Sequence, residues 1–141
     1  MLSGPKRTLR VSASVPNLDP AAVFAHWTDP EKLVRWWPPK ARVDLRKGGE
    51  FCFRWPEQDW TLCGTYENIQ PERLLAFTWR WEHLPSVTKH VMVRFSPRKA
   101  GGTAIELEHG PYRTSVQDSE LRNSHVEGWR YFLGRLSELS S

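Results

Sequence analysis

Only two cysteines occur in the 141 residues, Cys52 and Cys63, too few for a disulfide scaffold and without the C-x-x-C spacing of a metal finger or redox pair. No apolar run approaches the length of a membrane span, and the first residues, MLSGPKRTLR, lack the hydrophobic stretch of a secretory signal. A cytoplasmic, reduced protein with no membrane partner is expected. Motifs of the common catalytic machineries are missing too: no H-E-x-x-H, no glycine-rich phosphate loop after a strand, no G-x-S-x-G elbow. His26, His83, His90, His109 and His125 are scattered rather than spaced as ligands, so neither a metal nor a cofactor is expected. No repeat, linker or low-complexity segment interrupts a chain of one-domain length.

Aromatic side chains stand out against a modest apolar content. Eight Trp and six Phe occur in a sequence that is 39% hydrophobic, with mean hydropathy -0.58. The core is therefore built from few, large side chains, each burying roughly 150–250 Å². Large rigid rings around a curved sheet tend to leave gaps, which is one route to a ligand cavity. The net charge is +4, and Lys32, Arg35, Lys40, Arg42, Arg46, Lys47 and Arg54 concentrate the positive side. Such a run reads either as a solvated face or as a mouth that attracts a carboxylate or phosphate. Nucleic acid is not an expected partner, because the rings alternate with polar residues and look inward while Arg54 and Arg80 point away.

Two aspartate-proline pairs, Asp19-Pro20 and Asp29-Pro30, each open a short helix, the aspartate capping free N–H groups and the proline taking the first turn. Val23, Phe24 and Trp27 recur at helical spacing in the first, Leu33, Trp36 and Trp37 in the second, which Pro38-Pro39 stops. Before them, residues 7–15 alternate as a strand with Leu9, Val11, Ala13 and Val15 on one face. After them, strands are expected at 42–45, 50–55, 60–69, 73–82, 87–95 and 103–109, separated by Gly48-Gly49, Pro71, Pro85, Pro97 and Gly101-Gly102. A long helix from about Asp118 to Leu139, capped by Asp118 or Ser119, carries Leu121, His125, Gly128, Trp129, Phe132 and Leu136 on one stripe. Gly128 inside it serves either close backbone approach or open space, since glycine costs about 1 kcal/mol there.

If Pro56 to Asp59 forms a four-residue hairpin loop, Trp55 faces Trp60 and Cys52 falls opposite Cys63. Neighbouring but free thiols are expected for a reducing compartment.

The ordered set Phe24-x-x-Trp27-Thr28-Asp29-Pro30-Glu31, Trp36-Trp37, Asp44-x-Arg46-x-Gly48-Gly49-x-Phe51, Gly64-x-Tyr66, Pro71-x-x-Leu74, Thr78-Trp79, Gly102-Thr103 and Gly128-Trp129 resembles one family. It is that of the helix-grip domains related to START and to the birch-pollen allergen (the SRPBCC superfamily), in the branch of activator of heat-shock protein 90 ATPase homologues. The resemblance covers about residues 7–139, taken as one domain. It implies an α+β helix-grip fold: a curved antiparallel sheet of six or seven strands wrapped around a long C-terminal helix, with two short helices after the first strand. It also implies a cavity between sheet and helix that binds a small hydrophobic or aromatic molecule without turning it over.

On that reading the sheet side is Phe51, Phe53, Trp55, Leu62, Tyr66, Phe77, Trp79, Val91, Val93 and Leu107. The helix side is His125, Gly128, Trp129 and Phe132, with His109, Tyr112 and Arg113 at the rim. Trp27, Trp36 and Trp37 are read as packing anchors. Relatives that act as cyclases and aromatases imply an alternative in which His125 or Tyr112 donates a proton in the same cavity. A co-chaperone that stimulates a heat-shock ATPase is the other alternative. Oligomeric state is left open, a homodimer being one option.

Overall fold

A computed structural model describes residues 8–140, so Arg7, at the start of the first expected strand, lies outside the described residues. Strand β1 (Leu9–Val15) is followed by helices α1 (Pro20–Thr28) and α2 (Pro30–Leu33). Strands β2 (Lys40–Val43), β3 (Glu50–Trp55), β4 (Trp60–Gln70), β5 (Leu74–Trp81), β6 (Lys89–Pro97) and β7 (Thr103–Gly110) come next, and helix α3 (Val116–Ser137) closes the chain. The strands form one antiparallel sheet in the order β1-β7-β6-β5-β4-β3-β2. The sheet is curved and unclosed, its edges β1 and β2. Consecutive strands pair from β2 to β7, as expected of a meander; only β1 returns to lie beside β7. The fold is α+β.

Local chemistry sets the helix starts. Asp19 accepts from the Ala22 N–H at 2.8 Å and Asp29 from the Glu31 N–H at 2.9 Å, with Pro20 and Pro30 in the first turns. The second helix is shorter than its spacing predicts. It is a single turn ending at Leu33, and Trp36 and Trp37 lie in the turns beyond it. Tertiary bonds hold them there: the Trp36 indole N–H donates to the His26 carbonyl at 2.8 Å, and the Trp37 backbone N–H to Leu33 O at 2.9 Å. Trp27 packs on Trp36, Trp37 and Trp129 at centroid distances of 4.8, 5.7 and 5.8 Å.

Helix α3 also starts earlier than expected. Ser115, not Asp118 or Ser119, is the N-cap, its hydroxyl accepting from the Asp118 N–H at 3.2 Å. The Asp118 carboxylate is committed elsewhere, to Lys89 and to the Arg113 backbone N–H. Two strands are likewise displaced by two residues, β2 toward the N-terminus and β6 toward the C-terminus. At the far end of α3 the Ser137 hydroxyl donates to Ser14 O at 2.7 Å, fixing the helix to β1. Gly64 in β4 is demanded by close approach, since a Cβ there would run into the Thr78 carbonyl and the Phe51 ring.

The β3–β4 hairpin has the expected register, Trp55 opposite Trp60 and Cys52 opposite Cys63. The thiols are not free. Cys52 and Cys63 are joined in a disulfide with Cα atoms 4.2 Å apart, because directly opposed positions of an antiparallel pair already bring the two sulfurs within bonding reach.

Candidate aromatic cavity

The alternation of β5 points Phe77, Trp79 and Trp81 to the concave face, where α3 crosses. Between Trp79, Trp81 and the helix lies a cavity of about 350 Å³, within the range of small-molecule sites. Trp55 at the end of β3, with Gln58 and Trp60 from the hairpin, forms one wall. Trp37 and Trp129 close the inner end, and His83 follows β5 at the edge. Six of the eight tryptophans thus meet here. Helix α3 contributes Leu121, Ser124, His125, Gly128 and Phe132, spaced by three and four residues so that they share a face. A Cβ built on Gly128 meets nothing within 4 Å, so this glycine leaves open space rather than allowing tight backbone contact. Among the described residues no Asp, Glu, Lys or Arg lines the cavity.

Behind the tryptophans sits a pair of buried histidines with fixed protonation. The Trp81 indole N–H donates to His125 Nε2 at 3.0 Å, and the Trp129 indole N–H to His109 Nδ1 at 3.0 Å. An indole nitrogen can only donate, so each acceptor nitrogen carries a lone pair. His125 therefore holds its proton on Nδ1 and donates it to the Tyr112 hydroxyl at 2.7 Å. The imidazoles stack with centroids 4.6 Å apart and planes 13° from parallel. Burial pushes His125 down to about 3, helped by the Lys89 charge. Burial first, then His125 and Lys89, holds His109 well below the usual imidazole range. Burial likewise raises the Tyr112 hydroxyl.

Lys89, itself buried, donates to Asp118 at 2.8 Å and to Pro111 O at 2.7 Å, with its ammonium 4.6 Å from the Tyr112 ring centroid. Burial alone would raise the Asp118 carboxyl, but the Arg113 N–H and the Lys89 ammonium outweigh it and hold it below its usual value. This pair ties β6, the segment after β7 and the start of α3 into one rigid back wall. Among the described residues no group of three His, Cys, Asp or Glu is placed to hold a metal ion, and no helix is long and apolar enough to cross a membrane.

A curved sheet gripping a long helix, with short helices packed at one end, matches known proteins. Residues 17–141 fit the sequence family described as Activator of Hsp90 ATPase homolog 1-like protein. The chain belongs to that family. Among solved structures, protein MLL2253 from Mesorhizobium loti superposes with TM-score 0.82 at 19% identity, over 94% of this chain and 95% of that one. PFC0360w, an HSP90 activator from Plasmodium falciparum, gives 0.74 at 21% identity over 92% and 93%. CalU16 from Micromonospora echinospora gives 0.66 at 26% identity over 93% and 74%. No curated protein sequence matches.

Within this Activator of Hsp90 ATPase homolog 1-like chain the expected site residues divide by depth. Trp55, Trp79, His125, Gly128, Trp129 and Phe132 line the cavity. Phe53, Tyr66 and Phe77 instead pack with Phe51, Leu75, Trp27 and Trp37 around a gap too small for water. Val93 and Leu107 are buried in the sheet core. His109 and Tyr112 are fully buried behind His125, not at a rim, because α3 crosses directly over them; Arg113 is exposed and outside the lining.

Trp37, expected only as an anchor, also faces the cavity, as do Trp60, Trp81, Leu121 and Ser124. Trp81 and Leu121 carried a signal in the strand alternation and the helical stripe. The hairpin contribution followed only from the Trp55–Trp60 register. The basic run does not form the mouth: Arg42 and Arg46 border a separate recess with Asp44 and Glu50, and Arg54 is bonded to Thr61 and Asp59.

Proposed function

We propose that the protein binds a small hydrophobic molecule carrying an aromatic ring, without turning it over, in the cavity between β5 and α3. The observation that supports this most is the conjunction of Gly128 with six tryptophans. A helix leaves its own face bare where the facing walls are flat, rigid and apolar, a combination suited to stacking rather than to self-filling. The domain that carries this role is assigned to residues 7–139, and the cytoplasm is the proposed compartment.

The histidines support binding without turnover. Both ring nitrogens of His125 are engaged, and its imidazole is neutral, so it offers a ligand neither a free base nor a charged acid. A cyclase-like reaction would first require Trp81 to swing off His125. The test is native mass spectrometry of the gently purified chain, followed by a thermal-shift screen of aromatic metabolites and lipids. Bound mass or a ligand-dependent rise in Tm supports the reading; an empty chain that no compound stabilises overturns it.

A co-chaperone role is the second reading, favoured by family membership and by the similarity to an HSP90 activator. Stimulation of the ATPase of that chaperone by the purified chain would support it, and an unchanged rate would remove it.

A further inference from the structure

The charge distribution around the cavity narrows the ligand further, and this step rests on the binding reading above. Among the described residues the walls offer indole faces and no charged side chain. The faces of aromatic rings carry negative quadrupole density, so they attract cations and repel anions. Carboxylates adjoin the lining on two elements. Glu57 precedes the wall residue Gln58 in the β3–β4 hairpin. On α3, Glu120 and Glu127 lie one turn before and after Ser124, on the same helical edge. All three are exposed, and none is in an ion pair among the described residues.

The nearby cations are directed elsewhere. Arg54 is paired with Asp59 at 2.6 Å. Arg80 stands opposite Cys63, on the other face of β5 from Trp79 and Trp81. Arg122 acts on Tyr112, behind His125, and Arg130 lies on the side of α3 opposite the lining. An anionic ligand would meet indole faces and carboxylates together, the reverse of a basic mouth.

We propose that the preferred ligand is an organic cation, a tertiary or quaternary ammonium bearing an aromatic group, held against Trp55, Trp60 and Trp81 near Glu57, Glu120 and Glu127. Trp55 and Trp60 each lie within 6 Å of Trp81, at centroid distances of 5.7 and 5.8 Å, so a methylated ammonium at the mouth touches more than one indole.

The test is isothermal titration of the full chain with benzyltrimethylammonium and with neopentylbenzene, its uncharged carbon isostere, alongside benzoate. The expected result is about tenfold or greater preference for the cation over the isostere, with no benzoate binding. Equal or tighter binding of neopentylbenzene would overturn the cation preference and leave the aromatic-binding reading standing. Failure of all three compounds, together with no uptake of the naphthalene dye 1-anilinonaphthalene-8-sulfonate or of neutral naphthalene, would overturn both. In the double variant Glu120→Gln, Glu127→Gln the cation should bind about threefold more weakly and the isostere unchanged. An unchanged cation affinity there would show that the helix carboxylates take no part.

Discussion

Trp81 on β5 and His125 on α3 are joined through an indole N–H to Nε2 hydrogen bond of 3.0 Å, and this bond sets both the charge state of the imidazole and the edge of the cavity. Its acceptor must be a lone pair, so protonating His125 and keeping Trp81 in place are mutually exclusive.

Stability should therefore be acid-sensitive. His125 is pushed from 6.5 to about 3 on folding, and His109 moves in the same direction. As pH falls below 6.5 the unfolded chain takes up protons that the folded chain refuses, so stability is full above that value and declines as pH drops toward 3. The expected slope is about 1.4 kcal/mol per pH unit for each histidine. Urea unfolding at about pH 7, 5.5 and 4.5 measures it. In His125→Gln, whose amide oxygen still accepts from Trp81, the slope should fall by about half; a slope equal to wild type would show that His125 is not the linked group.

Gly128 separates ligand binding from stability. Because a Cβ there meets nothing, Gly128→Ala should raise stability by about 1 kcal/mol through helix propensity alone. Gly128→Leu should keep the fold and abolish binding, since its side chain enters the cavity. Thermal denaturation and ligand titration of the two variants check this. Unfolding of Gly128→Leu would mean the helix is packed tightly against the sheet.

Removing Lys89 should be costly. Lys89→Met leaves the Asp118 carboxylate buried without its ammonium, and a loss of about 3 kcal/mol is expected by urea denaturation. The double variant Lys89→Met, Asp118→Leu should recover part of that loss. Asp118, held below its usual value, contributes stability above about pH 4 that disappears as pH falls through the folded-state value.

The disulfide should stabilise the hairpin that carries Trp55, Gln58 and Trp60. Closing so short a loop is worth about 2–3 kcal/mol, so Cys52→Ser should unfold at lower urea than wild type, and a reductant should bring wild type down to it. Trapping with an alkylating reagent in intact cells reports which state the proposed compartment maintains.

Much of the fold could be read directly because its signals are local. Aspartate-proline caps, strand alternation from Leu9 to His109 and the hairpin register each depend on neighbours in sequence, and the observed pairing follows them. The spacing of Trp36 and Trp37 imitates a helix, whereas their positions are set by His26 and by packing on Trp27. Asp118 likewise reads as a cap in the sequence, because its partner Lys89 is 29 residues away. Alternation placed His109 inward but gave no depth, which depends on where α3 crosses. Cavity and solid core use the same residue types, so Phe53 and Phe77 could not be told from Trp55 and Trp79 without the volume left by Gly128.

The space between Trp79, Trp81 and Gly128 is the proposed ligand site. A crystal structure of the full chain grown with benzyltrimethylammonium decides whether it is occupied. Density is expected for the aromatic ring stacked between these residues, with Trp81 still bonded to His125. Collapse of Trp81 or Phe132 into the cavity, with no compound present, would contradict it.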